Sequence, residues 1–232
     1  MTPSDGRLSH RVAVRRGEVR FIPALAVVVA AAIYAALPHD LLFGPRWLIP
    51  VIEAALLVSV VLVNPTRITT ETRWSRLASL ALAMVLIVMN TVSVGLLIRD
   101  LTAAHPTPGR ELLVAALQVW ITNMIAFALL YWDLDAGGAV ARLPSSAVPA
   151  KRHDFWFPQN DPGTARLALG APGVWMPVFV DYLYLSITNS VAFSPTDTLP
   201  LTSRAKVLMA VQSLAAMVTS LLVIARAVNV LR

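Results

Sequence analysis

The chain reads as an all-α, polytopic transmembrane helical bundle of six spans, and three observations predict this. The first is composition: 57% of the 232 residues are apolar and only 14% are charged, whereas a soluble domain carries about 25% charged residues. Too few charges are present to cover a water-facing surface. The second is clustering. Phe21–Leu37, Trp47–Val63, Leu77–Ile98, Leu112–Trp132 and Val207–Ala225 are apolar runs in which Glu53 is the single charge. A helix rises about 1.5 Å per residue and the hydrocarbon core is about 30 Å thick, so runs of about 17 to 25 residues suffice to cross. The third is the placement of arginines, which gather in the connecting pieces and divide unequally between the two sides. A soluble bundle would show a polar face on each helix, and these runs show almost none.

The elements follow in order. Residues 1–20 form a basic cytoplasmic segment with Arg7, Arg11, Arg15, Arg16 and Arg20. Together with the first run they have the layout of a signal peptide, but the lead and the run are both long, so an uncleaved first span is expected. Residues 21–132 make a four-helix transmembrane region, helical because backbone groups find no water in lipid. Residues 133–173 form a long cytoplasmic loop with Gly137-Gly138, several prolines and His153-Asp154-Phe155-Trp156-Phe157-Pro158. Loops of this length are often functional; the aromatic cluster either lies on the membrane surface or folds under the bundle. Asp133 and Asp135 read as interface markers, and the four histidines as surface residues. The fifth segment, Val174–Phe193, differs from the others. It is aromatic and polar, carries Asp181, and runs into Ser194-Pro195-Thr196-Asp197. Its length suffices to cross, and a re-entrant loop is the alternative. Residues 174–232 thus form a helix-turn-helix ending in the sixth span.

With six spans and both termini cytoplasmic, the inner segments hold 14 basic residues and the outer loops only Arg46, Arg99, Arg110, Arg204 and Lys206, the direction that the positive-inside rule requires. A fifth segment re-entrant from the inner side gives the same division, because Arg204 and Lys206 exchange sides with Arg226 and Arg232. Trp47, Trp74, Trp132 and Trp175 fall at expected span ends, where indoles favour the headgroup layer.

Several polar residues are expected at membrane depth. An ionised Glu53 there would cost a few kcal/mol, so it is neutral, paired, or facing a water-filled cavity. Asn90, Gln118, Asn123, Asn189 and Gln212 lie at comparable depth and could meet it. These amides read either as lining of a hydrated path or as interhelical hydrogen bonds worth about 1 kcal/mol each. Asp181 shares a helix face with Tyr184, Leu185 and Thr188 and reads as a path residue or an interfacial carboxylate. Asp197 and Thr196 read as turn and cap residues or as ion ligands.

The run Leu183-Tyr184-Leu185-Ser186-Ile187-Thr188-Asn189-Ser190, then Val191 to Asp197, Pro200, Thr202, Lys206 and a long apolar helix, resembles the pore helix, filter, following aspartate and inner helix of potassium-channel pore domains. The resemblance implies a channel-like fold for residues 174–232, the last quarter of the chain. The five filter positions hold Ala192-Phe193-Ser194-Pro195-Thr196, without glycine. Glycines make the filter's left-handed dihedrals inexpensive, and proline fixes φ and lacks an N–H, so potassium selectivity by carbonyl coordination is not expected. A pore loop entering from outside would also invert the charge division. The second half, from about residue 125 to 231, further resembles an uncharacterised family of bacterial multi-span membrane proteins, through Tyr131-Trp132, Gly137-Gly138, Phe157-Pro158 and Asp181-Tyr182-Leu183-Tyr184. That resemblance implies fold more than function.

With no cysteine, thiolate zinc sites and disulfides are excluded. No phosphate loop, His-Glu-x-x-His motif or Gly-x-Ser-x-Gly elbow occurs, so no catalytic residue, metal or cofactor is expected. The net charge of +6 is spread over short loops, which fits membrane orientation better than nucleic acid. The expected protein is a non-enzymatic, channel- or transporter-like protein of a bacterial-type inner cell membrane, embedded in the lipid bilayer and a candidate homo-oligomer. The competing class is a non-conducting structural or accessory protein that kept a pore-like shape.

Overall fold

The computed structural model describes residues 18–39, 42, 44–63, 68, 72–101, 108–143, 152–170, 174–191 and 197–230. It is mainly helical: α1 (Phe21–Ala35), α2 (Leu48–Val63), α3 (Arg73–Leu101), α4 (Gly109–Leu134), α5 (Pro162–Leu169), α6 (Phe179–Val191) and α7 (Ser203–Val230). Two short strands, β1 (Phe155–Trp156) and β2 (Leu199–Pro200), pair antiparallel. Three helices, spanning Arg73–Asp100, Gly109–Gly137 and Ser203–Ile224, are long and apolar enough to cross a membrane. α1 and α2, of 15 and 16 residues, are equally apolar but shorter.

α4 is the axis of the bundle and packs against α1, α3, α6 and α7. Its run Met124–Trp132 is buried on every side, as a helix apolar all round requires. The outer helices show a different logic. On α7, Ala205, Met209, Gln212, Ala216 and Thr219 face inward, whereas Val207, Val211, Leu214, Met217 and Leu221 are exposed. Both stripes follow the helical repeat, and the exposed one is the more apolar. Such an outer surface suits hydrocarbon, not water.

The ends of the bundle are defined by contacts between distant segments. At one end, the Ile68 N–H donates to the Glu18 carbonyl at 3.0 Å, the Phe179 N–H donates to Glu18 Oε1 at 2.6 Å, and Arg204 reaches the Leu134 carbonyl. β1 and β2 join at this same end, with Phe155 opposite Pro200 and Trp156 opposite Leu199. At the other end, Tyr34, Leu37, Ile49, Val94, Leu97 and Leu112 form a second core with Leu222 and Val223 of α7. The first helix therefore begins, and the last helix ends, at opposite ends.

The expected fifth span takes another form. Residues 174–178 are not helical, α6 has 13 residues, and it rises about 20 Å, short of a 30 Å core. It starts at the Glu18 end and descends until Ser186 donates to the Met124 carbonyl at 2.7 Å, near the middle of α4. The chain then returns, for β2 is back at the starting end. Apolar length overstates the helix because residues 174–178 precede it without helical structure. Residues 192–196 lie outside the described residues.

Candidate functional site

Three polar groupings lie within the bundle or close its end, and they differ in whether their atoms are satisfied.

The first is centred on Glu53. Ile49, Glu53 and Val60 are buried, and their spacing of four and seven puts them on the inward stripe of α2. Glu53 is 1% exposed, its Oε2 has no hydrogen-bond partner, and it lines an internal cavity of about 10 Å³ with Tyr34, Asn90, Ser93 and Thr122. That is room for about one water. Asn90 Nδ2 is committed to the Val119 carbonyl at 2.6 Å, and Thr122 Oγ1 donates to the Gln118 carbonyl at 2.9 Å.

The second is centred on Gln212, which is fully buried. Its Oε1 accepts from Tyr131 OH at 2.6 Å and from Asn189 Nδ2 at 2.8 Å. Its amide nitrogen faces the Ser186 carbonyl at 3.0 Å and the Ser186 and Ser190 hydroxyls at 2.6 and 2.9 Å. Ser213 donates to Asn189 Oδ1. Every polar end is used, which is the signature of interhelical attachment among α4, α6 and α7.

The third closes the end of the bundle around Asp135. The chain turns sharply after α4 through Ala136, Gly137 and Gly138, at φ 51, 92 and 102, a region that glycine enters without strain. This buries Asp135, whose carboxylate accepts from Tyr182 OH at 2.6 Å and from the N–H groups of Asp154 and Phe155 at 2.6 and 3.3 Å. His153 Nδ1 lies 3.4 Å away. Arg142 donates to the carbonyls of Trp132 and Asp135, and its guanidinium stands 5.1 Å from the Tyr182 ring centre. Asp154, also buried, accepts from Thr202 at 2.5 Å and pairs with Arg204. Phe155 and Phe157 stack edge-on against Tyr131 and Tyr182, so the aromatic cluster folds against the bundle.

The remaining sequence candidates separate accordingly. Asn123 is buried with an unpartnered Nδ2. Asp181 is a helix-start residue: its Oδ2 accepts from the Val178 N–H at 2.7 Å, satisfying a donor at the start of α6. Glu53 and Asp181 thus stand in different settings, the one beside a buried cavity and the other at a helix start. Asp197 is exposed; Phe193, Ser194, Pro195 and Thr196 lie outside the described residues, as does His105. Two expectations are corrected. Asp135 is a buried network residue, not an interface marker, because the loop closes over it, and Asp154 in that loop is buried too. Trp132 is buried and donates to Glu18 Oε2 at 2.9 Å, so it is not a headgroup anchor. His153 is 48% exposed, a surface residue as expected, and its Nδ1 lies 3.4 Å from Asp135. Sequence reasoning passed over Glu18, Arg142 and Tyr182; the last two sit near quoted motifs, but nothing local marks their burial. Among the described residues no group of three or more acids or histidines could hold a metal ion.

The Asp135 hydrogen bond holds the His153 pKa above its ordinary 6.5, against the opposing effect of burial. Stability from this pair is full below the ordinary histidine value and is lost as pH rises through the raised one. The apparent Tm in detergent is therefore expected to fall by about 2 °C across that window, a modest shift because the imidazole is half exposed. His153→Gln removes the slope, which a thermal scan at several pH values reads directly.

The chain matches no family model, no curated protein and no solved structure.

Proposed function

We propose that the chain is an integral membrane protein of channel- or transporter-like type, and that Glu53 is the ionisable group of its conducting path. The observation that carries this reading is the contrast between the polar groupings. The Gln212 amide and the Asp135 carboxylate are held by multiple hydrogen bonds. Glu53 is sealed in an apolar helix with a free oxygen beside a cavity. A carboxylate with an unpartnered oxygen in that setting is costly, and ionisable residues within a membrane mark ion and proton routes. The path then lies among α1–α4, not at the α6–α7 turn where the sequence pattern placed it.

In the topology that goes with this reading, α1, α2, α3, α4 and α7 cross the membrane and α6 is re-entrant from the cytoplasmic side. The amino terminus is then cytoplasmic and the carboxyl terminus is outside. The basic residues still divide 14 to 5 in favour of the cytoplasm, as the positive-inside rule favours. Single cysteines placed in this cysteine-free chain test it. Leu167→Cys and Asp197→Cys, both at exposed positions, are expected to react with an impermeant thiol reagent from the same side, and Arg110→Cys from the opposite side. Labelling of Asp197→Cys together with Arg110→Cys would restore six full crossings.

Solute flux tests the function. Liposomes holding the full chain are expected to pass a small ion that protein-free liposomes retain. Absence of flux for protons, alkali cations and small anions under every gradient would favour the non-conducting accessory class instead. The fully satisfied α4–α6–α7 network is the observation that supports that second reading.

A further inference from the structure

We infer that the ion taken up at Glu53 is a proton, admitted from the α1–α2 and α3–α4 connection end of the bundle past Leu37 as a gate. The inference rests on the transport reading and names its ion and its entry.

Two cavities meet at Leu37. One is the Glu53 cavity. The other is an open vestibule of about 420 Å³ that Leu37 shares with Arg46, Arg110, Glu111 and Gln118. Leu37 is buried and, among the described residues, is the one that lines both. Its carbonyl accepts from Arg46 at 3.0 Å, which fixes the Leu37 backbone just beyond the last turn of α1. Gln118 continues the contact: its carbonyl receives the Thr122 hydroxyl from the Glu53 side, while its side chain lines the vestibule with a buried, unpartnered Oε1.

The opposite direction is closed more heavily. A polar pocket of about 40 Å³ at the Glu18 end is lined by Arg20, Ser75, Arg76, Ser79 and Asp133. Between it and Glu53 stands a layer of apolar side chains, Val27 and Ala30 on α1, Leu82 and Ala83 on α3, and Ala126 on α4, all buried in one core cluster. From Ser79 to Leu86 this layer spans about 10 Å along the helix. Glu53 is therefore poised toward the vestibule.

The chemistry of the cavity selects the proton. A dehydrated alkali cation needs several oxygens in place of its hydration shell, and a hydrated one does not fit a cavity of about 10 Å³. The walls include Leu37, Leu86, Met89 and Val119 beside the polar Tyr34, Asn90, Ser93 and Thr122, and the Thr122 hydroxyl proton and the Asn90 Nδ2 are already committed. One carboxylate oxygen remains free. A proton requires only that: a hydronium ion in the vestibule gives up H⁺ and is left as water, one O–H bond forms on Glu53, and loss of that proton to water beyond the apolar layer completes the passage. Among the described residues, the charged groups nearest this route are Arg46, Arg110 and Glu111 in the vestibule and Arg20, Arg76 and Asp133 beyond the apolar layer; Tyr34 is the other titratable group at the cavity.

The test uses the full chain in phosphatidylcholine liposomes with an internal pH dye, together with infrared spectra of the same samples. Wild type is expected to pass protons. Glu53→Gln is expected to lower the rate by about tenfold while eluting as the same monodisperse species, with Glu53→Asp partly active and Leu37→Ala several-fold faster. In the infrared, acidifying the medium should raise a protonated-carboxyl C=O band that Glu53→Gln lacks, and its exchange in D₂O should quicken in Leu37→Ala. Equal proton rates in wild type and Glu53→Gln, or no band assignable to Glu53, would overturn the inference. Flux of another ion that is indifferent to Glu53→Gln would defeat the proton assignment and leave transport standing. No flux of any ion would defeat the transport reading, and the infrared arm would still decide whether Glu53 loads a proton through Leu37.

Discussion

Asp135→Ala is expected to cost about 3–5 kcal/mol, the range for removing one partner from a buried charged network. Asp135 is fully buried. Its two oxygens receive a tyrosine hydroxyl and two backbone N–H groups. Alanine would leave all three donors without an acceptor in a space closed to water. It would also remove the carboxylate that His153 approaches. An unsatisfied buried donor costs about 1–3 kcal/mol, and domains have only about 5–15 kcal/mol in total. The expected readout is loss of the monodisperse peak in detergent and early proteolysis of the loop from 138 to 170. Asp135→Asn keeps one acceptor oxygen for the Asp154 and Phe155 N–H groups and should lose about half as much. If Asp135→Ala purifies with an unchanged Tm, the end cluster does not hold the loop, α6 and α7 together.

Gln212→Leu carries the second-largest effect, an expected loss of about 2–4 kcal/mol. Leucine fills the space but abandons Tyr131 OH, Asn189 and the Ser186 and Ser190 hydroxyls, which converge on this one amide. Tyr131 is fully buried, so its hydroxyl finds no water. The double variant Tyr131→Phe with Gln212→Leu should be more stable than Gln212→Leu alone by about 1 kcal/mol, a coupling that a double-mutant cycle isolates. This experiment also separates two ideas about α6 and α7. If their polar residues line a wet conduit, Gln212→Leu will leave stability nearly unchanged and alter flux. If they attach helix to helix, stability falls and the proton rate at Glu53 stays close to wild type.

Much of the architecture was legible because hydrophobic length is a local property. Leu77–Ile98, Leu112–Trp132 and Val207–Ala225 could be read as spans without a partner in view, and α3, α4 and α7 contain them. Glu53 was conspicuous as the single charge in five apolar runs, and its depth followed from its position in the run. The fifth segment failed on the same principle. Val174–Phe193 has the composition of a crossing, but the extent of α6 is set by Glu18 receiving the Phe179 N–H and by β2 returning to β1. Both contacts join residues far apart in the chain, and no window of sequence contains them. The amides met a similar limit: Asn189 and Gln212 form one site, whereas Asn90 and Asn123 belong to others, and depth alone does not distinguish these groups.

The sequence by itself determined that most of these helices present apolar side chains to their surroundings, and that one carboxylate lies among them. The tertiary structure decided which polar groups are satisfied, since a hydrogen bond needs two partners within about 3 Å and the fold alone brings them together. Asp135 and Glu53 are both buried carboxylates. The closing loop and α6 give the first its donors, whereas the second keeps a free oxygen beside a water-sized space. That difference in partners separates a structural clasp from a candidate ion site.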